Sequence, residues 1–264
     1  MARDRGTLER LVALLSYVAK FEGPIHISRM ATALDLPQST IHRLVNQMVK
    51  LGFLRRATGS RHYEIGIEAF RLGAALSQRV SVVIELAMPS LHRIVRASKE
   101  SCALGLYSER DATIFFAAQV QSPQPIRYYV DLFKSESVLW GTAGRAVLAY
   151  LAPQMPGVLL DGDPISPSGL PAPKLKTLQE ELALVRRRGY AVSNRGERVA
   201  NASGIACPIF NAPGRVIGCL TLATPSFRYS KRSEIHLATL MKQEAEKISL
   251  ELSGSPPPAR KANL

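Results

Sequence analysis

The sequence predicts an α+β chain: an N-terminal winged helix-turn-helix, a linker helix, and a C-terminal domain built on an antiparallel sheet. Three observations predict it. From Leu8 to Met48, apolar residues recur every three or four positions, interrupted by two short turns. After residue 100 the pattern changes to short, β-rich apolar runs separated by turn residues. The 264 residues are 46% hydrophobic and 21% charged, a core-forming composition large enough for one large or two modest domains. The expected boundaries are 1–66 for the winged domain, 67–81 for the linker helix and 82–252 for the C-terminal domain. Residues 253–264, with three consecutive prolines, are expected to be a disordered tail.

Charge narrows the partner. Lys and Arg number 34 against 21 Asp and Glu, a net +13 with pI near 10.0. Such a surplus favours an acidic partner, nucleic acid first and anionic membrane second. Ribosomal proteins and basic enzymes look similar, so pattern must decide. The longest apolar runs fall short of a membrane span. The N-terminus leads straight into an amphipathic stretch, unlike a signal peptide. Cys102, Cys207 and Cys219 are too few and too scattered for a disulfide framework or a cysteine-rich zinc module. A reduced, cytoplasmic protein without cofactor, metal or membrane association is expected.

The first helix is expected from about Thr7 to Phe21, with Thr7 as N-cap and the stripe Leu8, Leu11, Val12, Leu15, Val18 on one face. Gly23-Pro24 ends it. A second helix follows from Ser28, a good cap, to Leu34. Asp35-Leu36-Pro37 makes a turn, and a third helix runs from Pro37 to Leu51, stopped by Gly52.

In that third helix, Ile41, Leu44, Val45 and Met48 form the apolar face. The remaining faces carry Gln38, Ser39, Thr40, His42, Arg43, Asn46, Gln47 and Lys50, with no acid over the whole helix. Base edges are read by such side chains: guanine by Arg, adenine by Asn or Gln. An ordinary solvated helix face would mix Glu with Lys. Phe53 to Arg56 and Arg61 to Ile65 then flank a Gly-containing turn, a β-hairpin with no acid at its tip. Arg55, Arg56 and Arg61 suit phosphates or a minor groove, the role of a wing; a plain surface turn is the alternative.

The run Leu36-Pro37-Gln38-Ser39-Thr40-Ile41-His42-Arg43-Leu44, then Lys50-Leu51-Gly52-Phe53-Leu54, Tyr63-Glu64-Ile65-Gly66 and Leu72-Gly73, resembles the IclR family of bacterial transcriptional regulators in order and spacing. The resemblance covers roughly residues 7–252. It implies that the linker helix, Ile67 to Arg79, helps pair two protomers, and that the C-terminal domain is a GAF-like effector-binding domain.

The residues of that domain are read as follows. A helix runs from Ile84 to Ser98, with Pro89 bending its start. Cys102–Tyr107 and Thr113–Val120 form an antiparallel pair around Glu109-Arg110-Asp111, and Ile126 to Val130 are expected to add a strand. Thr142 to Leu151 form a helix beginning with small residues. Residues 153–173 form a loop, and Lys174 to Arg188 a charged amphipathic helix. Gly189-Tyr190-Ala191 looks like the family's turn. Gly204–Phe210 and Val216–Ala223 form a second hairpin, and Ser230 caps a last helix to Leu252.

Small residues at a helix start leave its first N–H groups accessible, and the dipole there favours an anion. A ligand carboxylate could dock there without a cationic side chain; close helix packing also wants Gly and Ala. By family position, the resemblance implies a pocket of Gly141, Thr142, Ala143, Ser193, Asn194, Gly204, Thr221 and Ala223. Independently of the resemblance, Phe116, Tyr128, Tyr129 and Trp140 are candidates for aromatic walls, with simple core as the commoner role of each. Family members that bind small oxo-acids often carry a Cys where this chain has Gly204, and Ser where it has Thr221 and Ala223. The stretch Asn194 to Arg198 is less acidic than the family pattern. The expectation is a roomier, more apolar pocket for an aromatic or aliphatic carboxylate.

Enzyme signatures are poor. The nucleophile-elbow, phosphate-loop and paired-histidine zinc motifs are missing, and Cys207 sits mid-strand in an apolar run. The leading expectation is a ligand-responsive regulator, a repressor of a catabolic operon, binding operator DNA as a dimer or tetramer. The competitors are an architectural DNA-binding protein whose C-terminal part only oligomerises, and a C-terminal enzyme tethered by a basic N-terminus.

Overall fold

The computed structural model describes residues 6–20, 23–57, 59, 62–153, 155–162, 165–193 and 195–253. The chain divides into two compact units, Met1–Ser81 and Val82–Leu264.

In the first unit, α1 (Thr7–Lys20), α2 (Ile27–Leu34) and α3 (Gln38–Lys50) close on one core of Leu14, Val18, Met30, Ile41, Leu44, Val45, Met48 and Leu54. The three- and four-residue spacing of those positions is what lets one stripe from each helix meet the others. Thr7 lies inside the first turn rather than capping it. Ser28 likewise lies inside α2, whose N-cap is His26 without a side-chain cap. Asp35 adopts the left-handed conformation (φ 51°) that ends α2, and the Leu36 N–H donates to the Ala31 carbonyl. Strands β1 (Leu54–Arg56) and β2 (Tyr63–Ile65) pair antiparallel, and an isolated bridge ties Tyr63 to Ile25. Together they make the expected wing.

Helix α4 (Ile67–Ser98) is continuous, where two helices are expected. No glycine or proline falls between Arg79 and Ile84 to stop it. Pro89 lies within it and forfeits one backbone bond rather than opening a new helix.

The second unit holds a six-stranded antiparallel sheet in the order β5-β4-β3-β8-β7-β6. Its strands are β3 (Ser101–Ser108), β4 (Thr113–Val120), β5 (Ser135–Ser137), β6 (Ala191–Ser193), β7 (Ala202–Ala212) and β8 (Arg215–Pro225). Period-two alternation sorts the faces. Cys102, Leu104, Ile205, Cys207, Leu220 and Leu222 pack on the C-terminal part of α4 and on α8 (Lys231–Ser253). Ala103, Phe116, Ala206 and Cys219 pack on α5 (Gly141–Leu148) and α7 (Leu175–Arg188). Glu244, on α8, is buried and fixes it to α4: Ser90 Oγ donates to it at 2.7 Å, Arg93 Nη2 at 2.6 Å and Lys247 Nζ at 2.8 Å. Burial alone would raise the pKa of this carboxyl; those donors outweigh it and pull it down to about 2. Ser230 caps α8 as expected, its Oγ accepting from the Ser233 N–H at 3.1 Å.

Four further expectations need correction. Ile126 to Val130 do not form a strand. Pro123 and Pro125 withhold donors there, the segment runs as a loop, and the sheet edge is β5 instead. Residues 153–173 include α6 (Met155–Gly162), because Pro156 suits a first helical turn and Leu159 and Leu160 pack on the core. Ala191 follows the Gly189 helix cap directly as strand β6, not as a turn. Ser253 ends α8 rather than starting the tail; residues 254–264 lie outside the described residues. Among the described residues, no helix is long and apolar enough to cross a membrane.

Candidate functional site

Two surfaces carry the chemistry, one in each unit. On α3, Gln38, Ser39, His42, Arg43 and Gln47 are exposed, and Thr40 and Asn46 are partly so. The buried stripe holds the helix by its opposite face, so these polar groups share the solvent side. Asn46 and His42, one turn apart, are linked Nδ2 to Nδ1 at 3.1 Å. Among the described residues, no hydrogen bond or ion pair engages the side chains of Gln38, Arg43 or Gln47. On the wing, Arg56 is exposed with its guanidinium 5.7 Å from the Tyr63 ring centre. Arg55 is exposed but pairs at 2.6 Å with Glu64, its cross-strand partner. Arg61 lies outside the described residues.

In the second unit, a cavity of about 480 Å³ opens beside the start of α5. Its lining includes Gly141, Thr142, Ala143, Ser193, Gly204, Thr221 and Ala223. The sheet alternation explains part of this: Gly204, Thr221 and Ala223 share the face that Ala206 and Cys219 turn to α5. Phe116, Tyr128 and Tyr129 also line it. The loop expected to be a strand therefore forms a cavity wall, tied down by the Tyr128 hydroxyl donating to the Ala200 carbonyl at 3.1 Å. Asn194 lies outside the described residues.

Trp140 is not a wall. Its indole is buried among Val138, Leu139 and the helices α5 and α7, where its apolar bulk is best sheltered from water. Nor does Gly204 open the room expected of it. A Cβ there would lie 2.5 Å from Thr142 Oγ1, so the threonine already fills the space.

The sequence pointed to neutral N–H groups as the anion seat, and the structure changes that picture. Glu197 occupies the first of them, accepting from the Gly141 N–H at 2.9 Å and from Arg145 Nη2 at 3.1 Å. Arg145 is itself buried and also pairs with Glu181 at 3.3 Å. Arg198, unremarked as a site residue from sequence, lines the cavity with Arg127 and Lys134. Its Nε donates to the Trp140 carbonyl at 3.0 Å, its Nη2 to the Ser137 carbonyl at 3.1 Å, and its Nη1 pairs with Glu136. Burial lowers its pKa to about 10, which leaves it charged at neutral pH. Gly141 makes room for it: φ is +73°, and a Cβ would come within 2.8 Å of Arg198 Nε. No spacing rule links Glu136 to Arg198, 62 positions apart. Only the fold brings a β5 residue to the loop before β7. Cys207, on the sheet face turned to α8, is buried, and burial pushes its thiol up, away from a nucleophile's range.

Comparison with known proteins supplies the rest. The IclR helix-turn-helix domain matches residues 7–58, and the C-terminal domain of bacterial IclR regulators matches residues 75–250. The Escherichia coli transcriptional repressor IclR is 25% identical over 254 residues, 94% of this chain and 90% of that protein. The regulator BhcR of Paracoccus denitrificans is 26% identical over 256 residues, 96% and 90%. A crystal structure of an IclR regulator from Silicibacter sp. TM1040 superposes with TM-score 0.80 at 23% identity, covering 96% of this chain and 98% of that one. An IclR homologue from Microbacterium hydrocarbonoxydans, crystallised with 4-hydroxybenzoate, gives 0.75 at 22%, covering 95% and 100%. The chain belongs to the IclR family of bacterial transcriptional regulators, DNA-binding proteins rather than enzymes.

Proposed function

We propose that the chain is a repressor of a catabolic operon whose grip on its operator is modulated by a small carboxylic acid with an aromatic or aliphatic body. The observation that carries this reading is the cavity beside α5, walled by Phe116, Tyr128 and Tyr129 and holding the Arg198 guanidinium. The lining is more charged than the sequence led one to expect, with Arg127, Asp131, Lys134, Glu136, Glu197 and Arg198 beside the aromatic side chains, and an aromatic wall next to a fixed cation suits a small organic acid. The homologue crystallised with 4-hydroxybenzoate supports an aromatic acid. Gln38, Ser39, Thr40, His42, Arg43, Asn46 and Gln47 enter the major groove, and Arg55, Arg56 and Arg61 meet the backbone or minor groove. The protein works as a homodimer or tetramer. Ile67, Phe70, Leu72 and Leu76, exposed along the start of α4, supply apolar surface for a second copy.

A footprint on DNA flanking the chain's own gene tests the reading. It should show two half-sites about one helical turn apart, with affinity falling steeply in salt. Carboxylic acids should then shift the operator affinity. A footprint that no acid alters, together with acids that leave the melting temperature unchanged, makes the protein architectural instead.

A further inference from the structure

We propose that Arg198 sets the ligand class of the cavity and that Glu136 is its built-in competitor: an incoming carboxylate takes the guanidinium edge that Glu136 holds in the empty protein. This deepens the effector reading and rests on it.

The asymmetry of the pair carries the inference. Arg198 is anchored through Nε and Nη2 to the carbonyls of Trp140 and Ser137, and its side chain is only 17% exposed. These neutral acceptors fix the plane of the guanidinium without cancelling its charge. Its acidic partner is Glu136, on the three-residue edge strand β5, with a side chain 29% exposed. Glu136 can turn out to water, where a carboxylate is well solvated, whereas Arg198 cannot follow. A buried cation left alone is costly, so the vacated edge demands another anion. A ligand carboxylate keeps the charge balanced. A neutral ligand of the same shape either leaves the pair intact or uncovers the cation.

The surroundings fit such an exchange. The Phe116 ring lies 5.9 Å from the Arg198 guanidinium carbon, and with Tyr128 offers a flat apolar wall beside the charged edge. The other acids of the lining are engaged elsewhere, Glu197 by Arg145 and Asp131 by Lys134 at 3.2 Å. Arg127, exposed on the same loop, adds positive charge where an anion approaches.

Benzoate and benzamide, alike in shape and different in charge, test the assignment by calorimetric titration of the full chain. Fluorescence of Trp140, the chain's single tryptophan, gives a second readout. Benzoate should bind about tenfold more tightly than benzamide, the scale of one charge-assisted contact. Glu136→Gln should tighten benzoate severalfold and leave benzamide unchanged. Arg198→Gln should erase the preference, and Arg198→Lys should restore part of it. If Arg198→Gln does not fold, Glu136→Gln decides the matter alone. Weaker or unaltered benzoate binding by Glu136→Gln overturns the proposal, as does a preference that survives in a folded Arg198→Gln. Failure of both the parent and Glu136→Gln to bind benzoate at millimolar concentration overturns it too. The effector reading fails separately, if benzoate binds as described yet neither it nor any other acid alters operator affinity.

Discussion

The polar face of α3 and the cavity beside α5 handle charge in opposite ways. Arg43 stands in water with no protein partner among the described residues, and its neighbours on that face include no acid. At the cavity, Arg198 holds Glu136 and Glu197 holds Arg145, both pairs largely sheltered from water. The difference follows from solvation. An exposed cation waits at little cost for a partner as dense in charge as DNA. A buried one must bring its own counter-ion, or the fold pays for it continuously. A surface of the first kind is tuned by what it meets, and a cavity of the second kind by what it must displace.

The rule is broken most severely by removing one member of a buried cluster. Glu244→Ala leaves the buried Ser90 hydroxyl without its acceptor and the half-exposed Arg93 without its counter-ion, and should cost about 2 kcal/mol in urea unfolding at neutral pH. Acid does the same thing gradually. The folded carboxyl titrates at about 2, below its ordinary 4.5. Its stabilisation is therefore complete above pH 4.5 and is lost as pH falls from there toward 2. Melting temperature against pH should show this limb in the parent and lose it in Glu244→Gln. An unchanged acid limb would show that the cluster does not hold α8.

On the open face, Arg43→Ala should leave stability within about 0.5 kcal/mol. It should weaken operator binding about tenfold or more and relax preference at one base position. Gel shifts over a set of singly altered operators measure both. A uniform loss across sequences would move Arg43 to the phosphates.

How much of this was legible in the sequence also divides between the two regions. The winged domain is local: its helices, turn and hairpin lie within sixty residues, and each apolar position follows from a period of 3.6 or 2. The lining of the cavity was reachable where sheet alternation or family position applied, as at Thr142, Thr221 and Ala223. It was not reachable where chance of fold brings distant charges together. Arg198 sits in a stretch that looks like any polar loop, and Glu136 in a strand of three residues. Trp140 misled because an aromatic next to a small-residue helix start suits a wall and a core equally; only its burial separates them.

Gly141→Ala probes the cavity's dependence on backbone. The left-handed φ and the 2.8 Å approach to Arg198 Nε both oppose a methyl group. The cost should be about 1–2 kcal/mol of stability. Because Arg198 must shift, acid-dependent changes in operator affinity should weaken more than intrinsic operator affinity does. Equal losses in the two would indicate a general loosening of the fold.

The smallest effect sharpens the comparison on the wing, where open and paired cations sit side by side. Arg55 is compensated by Glu64 across the strand, whereas Arg56, among the described residues, meets the Tyr63 ring and no acid. Both are exposed, so neither Ala substitution should move stability by more than about 0.5 kcal/mol. Each cation that meets a phosphate contributes about one counter-ion to the salt dependence of binding. Arg56→Ala should therefore reduce the slope of log affinity against log salt by about one. Arg55→Ala should reduce it by less, because Glu64 already shields that charge, and Glu64→Gln should raise affinity slightly by releasing it. Equal slopes for the two arginine variants would mean that DNA separates Arg55 from Glu64 at no cost, and that pairing on an exposed strand, unlike pairing in the cavity, sets no threshold for an incoming partner.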